Sequence, residues 1–140
     1  MDHNSPVLKA LIDQDHYSRW LGLIIDDFGP GFCKLHFTIR QEMLNGFGIV
    51  HGGIVFSAAD SAFAFACNSH GRLSVALDVQ ISFIRSAKEG DILYVDCKEI
   101  HLGNKTGFYD IAITNEEKEI VATFKSTSYR TSRNVVEDAI

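Results

Sequence analysis

The chain has 140 residues, 46% of them apolar and 22% charged, which gives enough apolar side chains for one folded domain and too many for a disordered chain. A formal net charge of −5 argues against a general nucleic-acid binder, whose phosphate contacts need clustered lysine and arginine, but leaves room for an anionic small ligand on a local basic rim. The longest strongly apolar stretch, Ile54 to Cys67, is interrupted by Ser57, Asp60 and Ser61 and is too short and too polar to span a bilayer, so no membrane partner is expected.

The opening MDHNSPVLK has neither a basic start nor a following apolar core, so no export signal is read and a cytoplasmic location is expected. Without such a signal the glycosylation pattern Asn104-Lys105-Thr106 carries no weight. Cys33, Cys67 and Cys97 are odd in number, widely spaced and form no CxxC pair, which suits free buried thiols in a reducing compartment. None of the six histidines lies three or four residues from another, so the sequence has no local metal-ligand signature.

Ser5-Pro6 is a helix start, a capping residue followed by proline at the first helical position. Val7, Leu8, Leu11 and Ile12 then recur at helical spacing, and a first helix is expected over 6–19. Leu21 to Asp27 and Phe32 to Ile39 read as strands, and Gly29-Pro30-Gly31 between them signals a hairpin turn. Gln41 to Val50 is loop-like, broken by Asn45-Gly46 and Gly48. A second helix is expected over 52–69: it lacks proline and is apolar on nearly every side, which places it in the middle of the protein. His70-Gly71 ends it.

The remainder reads as strand. Leu73, Val75, Leu77, Val79, Ile81 and Phe83 alternate with polar or small residues, the pattern of a half-buried strand. After the turn Lys88-Glu89-Gly90-Asp91 come strands at Ile92 to Ile100, Thr106 to Thr114 and Ile120 to Tyr129, and residues 130–140 are expected to be a frayed tail. The sum is an α+β domain spanning residues 1–140, with the last four strands as an antiparallel meander. A six-stranded antiparallel sheet of this kind can wrap around the central apolar helix, and its outer face and edges invite a second copy.

Several polar residues stand out against this plan. Asp60 lies between Ala58-Ala59 and Ala62-Phe63 on the apolar helix, where an unpaired carboxylate is unfavourable. Pattern alone does not choose between a structurally paired carboxylate and a functional one. Gly52 opens the helix, either as a tight backbone position or as a free N–H aimed at developing negative charge. His51 reads by itself as a histidine satisfied by backbone, and Asn45-Gly46 as an ordinary turn. Ser57 shares the helical side of Asp60 and could orient it, while Ser61 is expected to bond back to its own helix. Phe56, Phe63 and Phe65 are mostly core. Arg85, Lys88 and Lys105 are basic candidates for phosphate contacts.

Taken together, Asn45, His51-Gly52-Gly53 and an Asp60 nine residues after the histidine resemble the signature of PaaI-type hotdog-fold thioesterases of phenylacetate degradation. The runs HGGIVFSAADSAFAFACNSHG, FIRSAKEGD and TGFYDIAI carry the same resemblance, which covers roughly residues 15–130. It implies the hotdog fold and hydrolysis of acyl-CoA, commonly of aryl or phenylacetyl type, with no metal or redox cofactor and coenzyme A as part of the substrate. It implies Asp60 as base or nucleophile, Gly52 as the oxyanion donor, and His51 and Asn45 as supporting groups. Gly53, Ser57, Arg85 and Lys105 become substrate-binding candidates. Related thioesterases place a serine on the strand after the helix to hold water, and the matching position here is Ala76. The resemblance also implies a homodimer, often a dimer of dimers, that is, a homotetramer.

The spacing argues for two subunits independently. Gly52 and Asp60 are eight positions apart, roughly 12 Å along one helix, while both ends of a reacting carbonyl need partners within about 3 Å. Two rival readings are a hotdog dehydratase, which would use a histidine on the substrate α-carbon, and a non-catalytic acyl-CoA sensor. The carboxylate in the apolar helix counts against both.

Overall fold

The computed structural model describes residues 5–137. Ser5 starts α1 (Pro6–Ile12), its hydroxyl accepting the Leu8 N–H at 3.3 Å. The single helix expected over 6–19 is in fact two. Asp15 leaves helical geometry (φ −85°, ψ 78°) and its carboxylate accepts the Ser18 N–H at 3.0 Å, which restarts the chain as α2 (His16–Leu21). The aspartate competes with the helix for its own backbone, the usual effect of this side chain. Gly22 closes α2 in the left-handed region at φ +74°.

Strands β1 (Ile24–Gly29) and β2 (Phe32–Thr38) form the expected hairpin, though β1 starts at Ile24 rather than at Leu21, which ends α2. Then follow α3 (Gly52–Asn68), β3 (Arg72–Phe83), β4 (Ile92–Leu102), β5 (Thr106–Thr114) and β6 (Ile120–Asn134). All pairings are antiparallel and the sheet order is β1-β2-β4-β5-β6-β3. The sheet wraps around α3, as in a hotdog fold. Among the described residues no helix is long and apolar enough to cross a membrane.

Two expectations are corrected here. The last four strands are not one meander, because β3 pairs with β6 and β4 pairs with β2. The segment between β3 and β4 binds elsewhere: Ile39 N–H donates to Asp91 O at 2.9 Å, Gly90 N–H to Ile39 O at 2.9 Å and Val50 N–H to Ala87 O at 2.7 Å. Those bonds deliver β4 beside β2 instead of turning it back on β3. Nor is the chain frayed from residue 130. The long β3 recruits β6 as far as Asn134, which pairs with Arg72, and the Thr131 hydroxyl donates to Leu73 O at 2.6 Å. Residues 138–140 of that expected tail lie outside the described residues.

The core is where α3 meets the sheet. Val55, Ala58, Ala59, Ala62, Phe63 and Ala66 are buried against Leu35, Phe37, Leu93, Val95, Ile113 and Phe124. Cys33, Cys67 and Cys97 are free and buried there. Burial pushes the thiols of Cys33 and Cys67 up to about 12 and that of Cys97 further still, which disfavours the nucleophilic thiolate at all three.

Asn68 fixes the far end of α3. Its amide donates to Ala64 O at 2.8 Å and to Ser74 O at 3.1 Å, and its oxygen accepts the Ser74 N–H at 2.8 Å. Asn68→Ala strands the Ser74 N–H in a buried place, an expected loss of about 2 kcal/mol. Thermal unfolding should shift down by roughly 4–8 °C. An unchanged midpoint would show that packing alone sets the end of the helix.

Candidate active site

The first turn of α3 is organised by its N-cap, His51 (φ −65°, ψ 135°). Its Nδ1 accepts the Gly53 N–H at 2.9 Å, so the ring is occupied by its own helix and, when neutral, carries its proton on Nε2. The Ile54 N–H donates to His51 O at 2.9 Å. That leaves the Gly52 N–H, which finds no acceptor among the described residues. A free N–H at the start of a 17-residue helix sits at the positive end of the helix dipole. A Cβ added to Gly52 would stand 3.1 Å from the Phe83 ring, so glycine also answers a steric need.

Asn45 shapes the loop before this turn. Its side-chain oxygen accepts the N–H of Phe47 at 2.9 Å and of Ile49 at 3.4 Å, and Gly48 takes φ +76°. Asn45, Ile49, Gly52, Phe83, Ile84 and Arg85 line one cleft of about 300 Å³. Three residues singled out in the sequence therefore meet in space. The Arg85 guanidinium is partly committed, lying 3.2 Å from the Glu119 carboxylate and donating to Ile120 O at 2.9 Å.

Gly53, His51, Ser57 and Tyr17 line a different cleft, of about 360 Å³. Ser57 does not orient Asp60. Its hydroxyl donates to Gly53 O at 2.7 Å and lies 3.0 Å from the Tyr17 hydroxyl. Ser61 does not bond back to its own helix either. Its hydroxyl lies 2.7 Å from that of Ser18, which donates to the Asp15 carboxylate at 2.7 Å. These two bridges dock α2 on α3 on either side of Asp60. Tyr17 and Ser18 carried no signal in the sequence beyond helical spacing, and Phe83 read as a strand residue at the start of the FIRSAKEGD run, with no role of its own.

Asp60 itself is half-buried, and no group among the described residues hydrogen-bonds to its carboxylate. Burial pushes its carboxyl above the ordinary aspartate value. α3 runs unbroken from Gly52 to Asp60, which keeps them roughly 12 Å apart along the axis. Phe63 and Phe65 are buried in the core, and Phe56 packs edge-on to Phe124 at 5.3 Å.

Lys105 is not brought to this end of the subunit. It precedes Thr106, whose pairing through Tyr129 reaches Val75, eight residues along β3 from Phe83, or roughly 26 Å. Arg72 and Arg130 gather at the same turn, donating to Asn104 O and Gly103 O, both at 2.7 Å. Among the described residues no group of three or more His, Cys, Asp or Glu is placed to hold a metal ion.

With this geometry in place, comparison with known proteins locates the chain. The thioesterase superfamily profile matches residues 47–122. The acyl-coenzyme A thioesterase PaaI of Escherichia coli is 38% identical over 93% of this chain and 93% of its own. Its structure superposes with a TM-score of 0.89, covering 91% of this chain and 92% of that one. Human acyl-coenzyme A thioesterase 13 is 26% identical over 79% of this chain and 81% of its own. A Streptococcus mutans protein solved with acetyl-CoA bound is 28% identical with a TM-score of 0.77, covering 80% of this chain and 90% of that one. The sheet wrapped around one apolar helix, the HGG turn that opens it and these likenesses lead to one conclusion: the chain belongs to the thioesterase superfamily.

Proposed function

We propose that the chain is an acyl-CoA thioesterase that hydrolyses aryl- or phenylacetyl-type acyl-CoA to the free acid and coenzyme A. The observation that carries this reading is an unpartnered, half-buried carboxylate on the same helix whose free Gly52 N–H is suited to an oxyanion. The Gly52 N–H and the helix dipole stabilise the negative charge that grows on the thioester oxygen. Asp60 takes the proton of the attacking water, or attacks the carbonyl itself to give, once the thiolate has left, a mixed anhydride that water then hydrolyses to regenerate Asp60, and in either role it must be ionised. The tetrahedral species then expels the coenzyme A thiolate, which gains a proton as the carboxylic acid product leaves. No other cofactor is required.

The site is composite. Gly52 of one subunit faces Asp60 of the partner subunit across a two-fold axis, which removes the 12 Å problem and gives two equal sites per dimer. The free edge of β3 supports such pairing, with Val75, Leu77 and Phe83 each at least half exposed. Antiparallel pairing along β3 carries Lys105 of the partner subunit toward the Gly52 cleft. The outer sheet face, with Tyr94, Ile100 and Phe108 exposed, supports a further pairing of dimers. A dehydratase needs a histidine free to reach the substrate, whereas His51 is held on the Gly53 N–H. A sensor needs no carboxylate in its apolar helix, and release of free thiol on turnover separates it from an enzyme.

Asp60→Asn is expected to lower turnover by about 10²–10⁴-fold. The same variant should be more heat-stable than the parent at pH 7. A carboxyl with its folded pKa raised penalises the folded state once pH exceeds the unfolded value of about 3.9, and fully so above the folded value. The gain should therefore shrink to nothing as pH falls below that unfolded value. Near-normal turnover in the folded variant would remove Asp60 from catalysis.

Complementation tests the shared site. Inactive Asp60→Asn and folded, inactive Gly52→Val subunits are mixed and allowed to exchange. A mixed dimer has one site with both defects and one with neither, so activity should recover to as much as about half per mixed dimer. Proven exchange without activity would place both groups in one chain.

Charge reversal at Lys105 or Arg85 is expected to raise KM for acyl-CoA more at low salt than at high. N-acetylcysteamine thioesters, which lack the nucleotide phosphates, should respond less. Equal effects on both would take these residues out of coenzyme A binding.

A further inference from the structure

We propose, on the reading that Gly52 holds the thioester oxygen, that Phe47 is a specificity-determining residue whose ring forms a wall for the acyl group. Phe47 is 90% exposed, whereas the next most exposed large apolar side chains, Ile100 and Leu77, reach only 61% and 60%. An aromatic ring left in water is unfavourable, and at a floppy tip it would mean little. The loop that carries this one is held in place. The Asn45 side chain accepts the Phe47 N–H at 2.9 Å, the Asn45 N–H donates to Ile49 O at 2.8 Å, and the Gly48 N–H to Asn45 O at 3.0 Å. A bridge between Leu44 and Val50 closes the base of the loop.

The position of the ring points to its ligand. Phe47 does not line the Gly52 cleft itself, but it sits in the short loop between Asn45 and Ile49, which both do. Gly46 and Gly48 flank it, and a Cβ at either would meet nothing within 4 Å, so the space beside the ring is open. The cleft below it carries Ile49, Val50, Val55, Phe83 and Ile84. A phosphate or a polar pantetheine amide gains little from such a rim. A flat apolar acyl group gains burial and edge-on or offset ring contact. The class selected is therefore aryl or similarly bulky apolar acyl thioesters over short aliphatic ones.

The test compares kcat/KM for phenylacetyl-CoA and acetyl-CoA in the full-length protein, with sedimentation equilibrium on each variant. Removing apolar contact area from a pocket commonly changes discrimination by 10-fold or more, so Phe47→Ala should lower the phenylacetyl-to-acetyl ratio by at least about 10-fold and leave acetyl-CoA within about twofold. Phe47→Leu should restore most of the ratio, and the association state should not change. An unaltered ratio, or equal losses on both substrates that follow dissociation of subunits, would assign Phe47 to packing and overturn the proposal. Failure of the underlying reading looks different: the parent protein would release no thiol from any acyl-CoA.

Discussion

The structure depends on burying one helix that is apolar on nearly every side. α3 cannot turn a polar face to water, so the sheet must curve around it, and the sheet is long enough to do so only because β3 and β6 run twelve and fifteen residues. Everything of chemical interest follows from what that helix carries. Its start must end in a turn that leaves a backbone N–H over, and its middle takes a carboxylate into partial burial. The neighbouring polar groups spend their hydrogen bonds on docking α2 rather than on Asp60. A carboxylate left without partners in a half-buried place is held away from its ordinary ionisation by desolvation alone.

Rigidity of the same helix separates the free Gly52 N–H from the Asp60 carboxylate. An unbroken helix cannot bend Asp60 back to Gly52, so the fold keeps them apart within one subunit. The free β3 edge and its apolar side chains offer a route to a second copy. The basic turn at Gly103–Lys105 lies at the opposite end of β3 from the Gly52 cleft.

His51 and Asn45 both spend their side chains on nearby backbone groups. The histidine takes the Gly53 N–H and thereby leaves the Gly52 N–H as the unsatisfied donor. The asparagine folds its side chain into the loop and sets the angle from which Ile49, Phe47 and the cleft rim are presented. Both are local effects of side chains competing for backbone groups, and both act on geometry.

Local chemistry is what the sequence by itself determined. The apolar helix, the hairpin at Gly29-Pro30-Gly31, the alternation in β3 and the odd placement of Asp60 follow from periodicity, turn residues and the penalty on buried charge, all of which act over a few residues. The separation of Gly52 and Asp60 could likewise be read from eight positions of helix rise. Tertiary structure decided what depends on distant partners. It took β3 to β6 and β4 to β2, because the Ile84–Asp91 segment bonds to Val121 of β6, to Val50 just before α3 and to Ile39 just after β2. It ordered the tail through Asn134, because β3 needed a pairing partner. It also sent the Ser57 and Ser61 hydroxyls to Tyr17 and Ser18 rather than to Asp60, since which acceptor a hydroxyl reaches is fixed by an element forty residues away, which no local pattern specifies.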